Sequence, residues 1–255
     1  MRLRPHADYE IALRLIGEGL GDSEIARRTA IPRPTISAWR HGRGNAYHER
    51  LALARSGWRP NEPRAYCYLL GVYLGDGCIH VMPRGGARLV ISLDLAYPGI
   101  IATVEEALRT LLPDVPVTRS FPKDGGLVVV RVGHPVLPFA FPQHGAGPKH
   151  KREIRLADWQ RNLTHRCPRD LLRGLIHSDG CRTTNRFATK LPSGRVAHYE
   201  YPRYFFSNLS ADIRRIFCEH CEHLGIRWTQ SNPRNISVSH RKSVALLDEF
   251  VGPKR

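Results

Sequence analysis

Two acids hold the same place in a stretch that occurs twice. The first copy reads Leu69-Leu70-Gly71-Val72-Tyr73-Leu74-Gly75-Asp76-Gly77-Cys78, the second Leu172-Arg173-Gly174-Leu175-Ile176-His177-Ser178-Asp179-Gly180-Cys181. The acids lie 103 residues apart. Each copy is an apolar helical run closed by an acid, a Gly and a Cys. Each also carries a small residue four positions after its Gly, Gly75 after Gly71 and Ser178 after Gly174. Residues four apart share a helix face, and a face of small residues lets two backbones approach closely. If the runs pack on each other, Asp76 and Asp179 emerge side by side at their C-terminal ends. Neighbouring carboxylates repel unless a cation sits between them. Simple capping of a helix end before Gly, with no metal, is the plainer alternative.

The elements that must position these acids also repeat. The patterns predict a helix through Leu69–Asp76, strands at Cys78–Met82 and Ala87–Leu95, and a helix at Ile100–Leu112. Strands at Val115–Phe121 and Leu127–Val132 follow, then a short apolar piece from Pro135 to Phe141. The second half predicts a helix at Pro168–Ser178, strands at Cys181–Lys190 and His198–Ser207, and a helix to Leu224 capped by Ser210. Strands at Ile226–Gln230 and Asn235–Ser239 and a helix at Lys242–Val251 complete it. Gly147-Pro148-Lys149-His150 closes the first unit and Gly252-Pro253-Lys254-Arg255 the second, 105 residues apart; His134 and His240 lie 106 apart. Matches in one register indicate a duplication.

The chain of 255 residues has a net charge of +16, spread along its length, which favours a polyanionic partner such as nucleic acid. No apolar run approaches the roughly 20 residues of a membrane span, and the first residues lack the apolar core of a signal peptide. Six Cys are too few for a disulfide scaffold, so a reducing cytoplasm, with the protein on the nucleoid, is the expected location.

Before the duplication, Ile11, Ala12, Leu15 and Ile16 recur at helical spacing, Gly17, Gly19 and Gly21 end that helix, and Asp22 or Ser23 can cap a second. Pro32 or Pro34 opens a third that runs through Trp39. The segments Ser23–Pro32 and Thr35–Arg40 resemble a helix-turn-helix. The resemblance implies that Arg33, Thr35, Ser37 and Arg40 face DNA while Ile36 and Trp39 are core; a unit used only for protein contacts is the alternative. Residues 1–45 form this domain, 46–64 a linker, 65–165 the first repeat and 166–255 the second.

Leu69–Gly77 and Leu172–Gly180 resemble the two motifs of LAGLIDADG homing endonucleases in their single-chain form. The resemblance covers roughly residues 65–255 and implies an α+β chain: a three-helix helix-turn-helix followed by a pseudo-two-fold tandem αββαββα domain with DNA-binding β-saddles. It implies a monomer that binds duplex DNA and cuts both strands with Mg²⁺ or Mn²⁺ held by Asp76 and Asp179, with Gly75 and Ser178 beside them. It also implies that Lys149 and Lys254 stabilise the scissile phosphate. At the sixth motif position, often acidic in the family, stand Leu74 and His177. Bacterial proteins that join this fold to a helix-turn-helix, lose the acids and regulate transcription are the rival class.

Arg84, Arg88 and Lys123 in the first half and Arg182, Arg186, Lys190 and Arg195 in the second are expected to track phosphates or read guanine. Lys151 and Arg152 join the halves and are expected on phosphate. Strand alternation puts Tyr199, Tyr201 and Arg203 on one face and Tyr204 and Phe206 on the other. Cys78 and Cys181 read as buried core residues. Cys218-Glu219-His220-Cys221-Glu222-His223 resembles a metal cluster, but without a second Cys pair zinc is disfavoured against an apolar helix face.

Overall fold

The computed structural model describes residues 4–44, 46–55, 57–82, 86–123, 125–252 and 254. They fall into two compact units. One is Met1–Arg59 with Ile79–Arg88 and Gly133–Ala140; the other is Pro60–Cys78 with Leu89–Val132 and Phe141–Arg255.

In the first unit, α1 (His6–Gly17), α2 (Asp22–Thr29) and α3 (Arg33–Arg40) close around Tyr9, Ala12, Leu15, Ile25, Ile31, Ile36 and Trp39. The apolar spacing dictates this, since those residues recur on one stripe of each helix. Ala30 makes the turn between α2 and α3 at φ +56°, the left-handed conformation usual after a helix end. The cap of α2 is Gly21 rather than Asp22 or Ser23. Asp22 lies inside the helix and takes the Arg40 guanidinium at 2.7 Å. A fourth helix, α4 (Ala46–Arg55), lies in the segment expected to be a linker, where Glu49–Ser56 reads as one helical piece. Its His48 is buried, stacks on Tyr9 at 4.4 Å between ring centres, and meets His6 with their Nδ1 atoms 3.3 Å apart.

The duplicated part begins with α5 (Pro63–Asp76), β1 (Gly77–Val81), β2 (Ala87–Asp94), α6 (Pro98–Leu111), β3 (Thr118–Ser120), β4 (Leu127–Gly133) and α7 (Leu137–Ala140). After α8 (Asp158–Arg166), the same series returns as α9 (Pro168–Asp179), β5 (Gly180–Lys190), β6 (Val196–Ser207), α10 (Ala211–His223), β7 (Thr229–Asn232), β8 (Asn235–Val238) and α11 (Arg241–Val251). The strands form two four-stranded sheets in the matching orders β1-β2-β4-β3 and β5-β6-β8-β7. The expected α+β tandem is therefore borne out. In the second sheet β5 and β6 pair from Gly180↔Phe206 to Lys190↔Val196, but β8 follows β6 only over Tyr204–Ser207. The distal part of the β5–β6 hairpin is a two-stranded ribbon.

The helix α8 escaped the periodicity because Asp158-Trp159-Gln160-Arg161-Asn162-Leu163 carries few apolar residues. A buried amide holds it instead: Gln160 Nε2 donates to the Tyr66 hydroxyl at 2.6 Å, and Gln143 Nε2 donates to Gln160 Oε1 at 2.6 Å. Such satisfied buried polar networks fix one arrangement of the elements that share them.

The two repeats meet through α5 and α9. Every residue of α5 from Tyr66 to Leu74 is buried, as a helix apolar all round requires. Contact is close because both crossing positions are glycine. A Cβ on Gly71 would lie 2.7 Å from the Leu175 amide nitrogen, and one on Gly174 would lie 3.0 Å from Gly71 Cα and would overlap the Tyr68 carbonyl oxygen. Gly174→Ala is expected to cost about 3 kcal/mol by forcing the backbones apart. Gly17→Ala, with open space around it, is expected to change stability by less than about 1 kcal/mol. Urea denaturation of the two variants distinguishes these outcomes.

Candidate active site

The chain leaves both motif helices at a Gly. Gly77 and Gly180 have extended backbone and start β1 and β5. A side chain on Gly77 would press on Tyr73 Cα at 2.7 Å, and one on Gly180 on Ile176 Cα at 2.8 Å. The turn from helix to strand therefore folds back on the last helical turn. Asp76 and Asp179 are thereby the last helical residues, at the mouth of the crossing. Asp179 Oδ2 would lie 2.9 Å from a Cβ on Gly75, so the second acid reaches the end of the first helix.

Two lysines join them. Lys149, in the turn Lys149–Lys151, donates from Nζ to the carbonyl oxygens of Tyr73, Leu74 at 3.0 Å and Gly75 at 3.1 Å. These are orphan carbonyls at the negative end of α5, where a cation is favourable. Lys254 Nζ stands 5.6 Å from the centre of the Tyr97 ring. Each lysine feels the charge of both Asp76 and Asp179.

Burial governs the protonation of all four. It pushes the Asp76 carboxyl up to about 6, the Asp179 charge adds to the rise, and the two lysines oppose it. Asp179 is also raised by burial, against the hydrogen bond from Asn208 and the same lysines. Lys149 is pulled down to about 8 by burial although both acids favour its charge, and burial lowers Lys254 likewise. Two acids and two ammonium groups thus share poorly solvated surroundings. A cleft of about 420 Å³ opens here, with Gly75, Lys149, Asp179 and Asn208 in its wall.

Asn208 was not foreseen. Its Nδ2 donates to Asp179 Oδ2 at 2.5 Å while its Oδ1 accepts from the Ser210 amide at 2.7 Å. The only sequence signal is an Asn two residues before the cap of α10, where the side chain commonly closes a turn. His177, at the sixth motif position, faces the helix pair. Its Nε2–H donates to the Val251 carbonyl at 2.9 Å and its Nδ1 accepts from the Tyr68 hydroxyl at 3.0 Å. Burial drops its pKa to about 4, so it is neutral.

Two glycine-crossed helices, each ending in an acid, stand before two sheets of identical strand order. The architecture is LAGLIDADG-like. No protein-family model matches the sequence, and no curated protein matches it significantly. Among solved structures, the LAGLIDADG meganuclease I-AabMI, bound to uncleaved DNA, aligns at TM-score 0.45 and 12% identity over 72% of this chain and 82% of its own. The I-LtrWI LAGLIDADG homing endonuclease, bound to target DNA, aligns at 0.47 and 9% over 74% and 84%. I-DmoI in complex with DNA and Mn aligns at 0.45 and 15% over 74% and 97%.

Around the LAGLIDADG-like core the other candidate residues disperse. The Ser178 hydroxyl turns back onto the Gly174 and Leu175 carbonyls at 3.1 and 3.0 Å. Arg88 lies on the face of β2 opposite Leu89, Ile91 and Leu93, and Lys123, Lys151, Lys190 and Arg195 are exposed. Arg152 hydrogen-bonds the Tyr73 side chain. Arg84 lies outside the described residues. The register fixes which face of the second sheet each of the others occupies. Arg182, Arg186 and Lys190 share the face of Tyr204 and Phe206, which are buried. Arg182 there makes a two-point ion pair with Asp248 of α11 at 2.7 and 3.0 Å, and Arg186 pairs with Glu200 at 2.9 Å. The opposite face carries Thr183 and Arg203, Asn185 and Tyr201, and Phe187 stacked on Tyr199 at 5.1 Å.

Cys78 and Cys181 are exposed, not core, because the strand that starts at each Gly turns its next residue outward. Cys218 and Cys221 are buried on α10 with Phe217. Among the described residues no three His, Cys, Asp or Glu side chains converge as a metal cluster.

In the folded protein Asp76 holds a proton between about pH 4 and 6 that the unfolded chain has released, so stability falls as pH rises through that window. Asp76→Asn removes the ionising group. In metal-free urea titrations it is expected to match the parent near about pH 4 and exceed it by about 2 kcal/mol near about pH 7. A difference that does not vary with pH contradicts the raised carboxyl.

Proposed function

We propose that this chain is a site-specific DNA endonuclease. It binds duplex DNA as a monomer across the open faces of its two sheets and hydrolyses one phosphodiester in each strand. The observation that carries the reading is that Asp76 and Asp179, at the ends of paired helices, and Lys149 and Lys254 lie close enough to feel one another's charge, with Asp179 and Lys149 in the wall of one cleft. A net charge of +16 supports a phosphate-rich partner. The face with Thr183, Asn185, Tyr201 and Arg203 supplies donors, acceptors and a cation of the kind that reads base edges, on a ribbon of the width a major groove admits.

A divalent cation fits this donor set. Two carboxylates with no third His, Cys, Asp or Glu converging among the described residues suit a hard ion that keeps water and takes phosphate oxygens, Mg²⁺ or Mn²⁺, rather than zinc. Asp76 and Asp179 would hold it, beside the Gly75 carbonyl. Bound there, such an ion would supply water activation and charge neutralisation at the phosphate. Lys149 and Lys254 add fixed positive charge in low-dielectric surroundings, where it acts strongly on the phosphate. One observation favours the rival, a regulator that binds without cutting: Lys149 Nζ donates to the Gly75 carbonyl, and its positive charge there opposes a metal cation on the same oxygen.

The test is selection from a randomised duplex library in Mg²⁺ and separately in Ca²⁺. Sites severed in Mg²⁺ and intact in Ca²⁺ support the endonuclease. Asp76→Asn and Asp179→Asn are then expected to abolish cutting of at least one strand each while leaving Ca²⁺ binding within about threefold. Enriched sites that are never cut favour the regulator.

The three-helix unit would add contacts through α3, where Arg33 is exposed and Thr35 and Ser37 are half-buried. Arg40 instead ties α3 to Asp22 and to the Leu20 carbonyl, both at 2.7 Å. Arg33→Ala is expected to lower the salt slope of DNA binding by about 1 at unchanged melting temperature. Arg40→Ala is expected to lower the melting temperature of the N-terminal unit by a few degrees, about 1 kcal/mol.

A further inference from the structure

The two acids are not held alike. Asn208 has every polar group engaged. Its Nδ2 donates to Asp179 Oδ2 at 2.5 Å, and its Oδ1 accepts from the Ser210 amide at 2.7 Å. Its backbone N–H donates to the Arg234 carbonyl at 3.1 Å, and its own carbonyl accepts from Arg214 at 2.5 Å. The Ser210 contact fixes which end of the amide faces Asp179, since an N–H must meet an oxygen. The equivalent position in the first repeat follows from the backbone. Arg234 immediately precedes β8, and Gly126 immediately precedes β4. Leu95 donates its N–H to the Gly126 carbonyl at 2.9 Å, as Asn208 does to Arg234. Where the second half has an amide donor, the first has an exposed leucine.

We infer that Asn208 is a positioning residue for Asp179, which makes the two halves of the proposed nuclease unequal centres, one acid held by a side-chain amide and one with a leucine at the equivalent place. The inference rests on the nuclease reading only for its consequence in cutting. The clamp itself is a statement about how well Asp179 presents oxygens to a divalent cation. A carboxylate that accepts a hydrogen bond on one oxygen keeps the other lone pairs directed at a ligand, and losing such a partner weakens metal sites or activity about 10- to 100-fold. Leu95 can do nothing equivalent for Asp76.

Asn208→Leu copies the first half. Asn208→Ser keeps an acceptor for the Ser210 amide but is too short to reach Asp179, so it guards against a variant that merely fails to fold. The first readout needs no DNA: Mn²⁺ is titrated into the full chain and the free ion is followed by electron paramagnetic resonance. Both variants are expected to bind Mn²⁺ at least tenfold more weakly than the parent, at a melting temperature within a few degrees of it. Unchanged affinity, or no Mn²⁺ bound by the parent, overturns the inference. The second readout is single-turnover cleavage of a selected duplex with each strand labelled in turn. The strand whose cutting Asp179→Asn abolishes is expected to slow at least tenfold in Asn208→Ser, and the other strand to change less than about twofold. Equal slowing of both strands overturns the half-specific role. A parent that cuts neither strand, with Mn²⁺ binding still weakened by the variants, removes the nuclease reading and supports the clamp.

Discussion

The close crossing of α5 and α9 is the constraint on which the rest depends. Interiors are packed as densely as organic crystals, so the distance between two helices is set by the smallest residues at their contact. Here those residues are Gly71 and Gly174, each against the other helix's backbone. Any side chain at either position would separate the helices. It would also move apart the two ends from which Asp76 and Asp179 emerge. The duplication thus has a physical meaning beyond ancestry. Only a repeat of the same spacing, Gly then a small residue four later then an acid, brings two equivalent carboxylates to one point.

That crossing also creates the electrostatic situation of the site. Acids at the ends of buried helices lose water, and loss of water raises carboxyls and lowers ammonium groups. Burial acts in both senses here, pushing Asp76 up to about 6 and Lys149 down to about 8. The four groups draw toward the middle of the pH scale, and opposite charges only partly offset the cost of desolvation. Groups so placed exchange partners at low cost. Lys149 rests on three helix-end carbonyls, partial rather than full negative charges, so its ammonium can leave them without stranding a buried anion. A lysine locked in a buried ion pair could leave only by baring a carboxylate.

Much of this was legible in the residues. The repeat fixed the order of elements, and most boundaries fell within two residues, because apolar periodicity is a local property of each helix and strand. Among the features that were not, three show why. The helix α8 is held by Gln160 and Gln143, whose partners are distant in the chain. The face on which an arginine lies depends on one residue of strand register: Arg182, Arg186 and Lys190 proved to share the helix-bearing face of Tyr204 and Phe206, although the alternation of Tyr199, Tyr201 and Arg203 against those same two residues already divided the partner strand. Asn208 was invisible because its importance lies in a contact 29 residues back, with Asp179.

The halves have drifted where the crossing does not constrain them. The glycines and acids match, but Leu74 in the first half corresponds to His177 in the second, Leu95 corresponds to Asn208, and the β5–β6 hairpin is much longer than the β1–β2 pair. His177 is a polar group tolerated inside the helix pair because Tyr68 and Val251 satisfy both its nitrogens; without them it would cost about 1–3 kcal/mol. A single chain permits such divergence. In a dimer of identical subunits, His177 or Asn208 would occur in both halves or neither, and each centre would have to tolerate the other's features. Joined in one polypeptide, the two repeats answer to a shared helix contact but to separate strands, so each sheet is free to meet a different surface while the acids stay together.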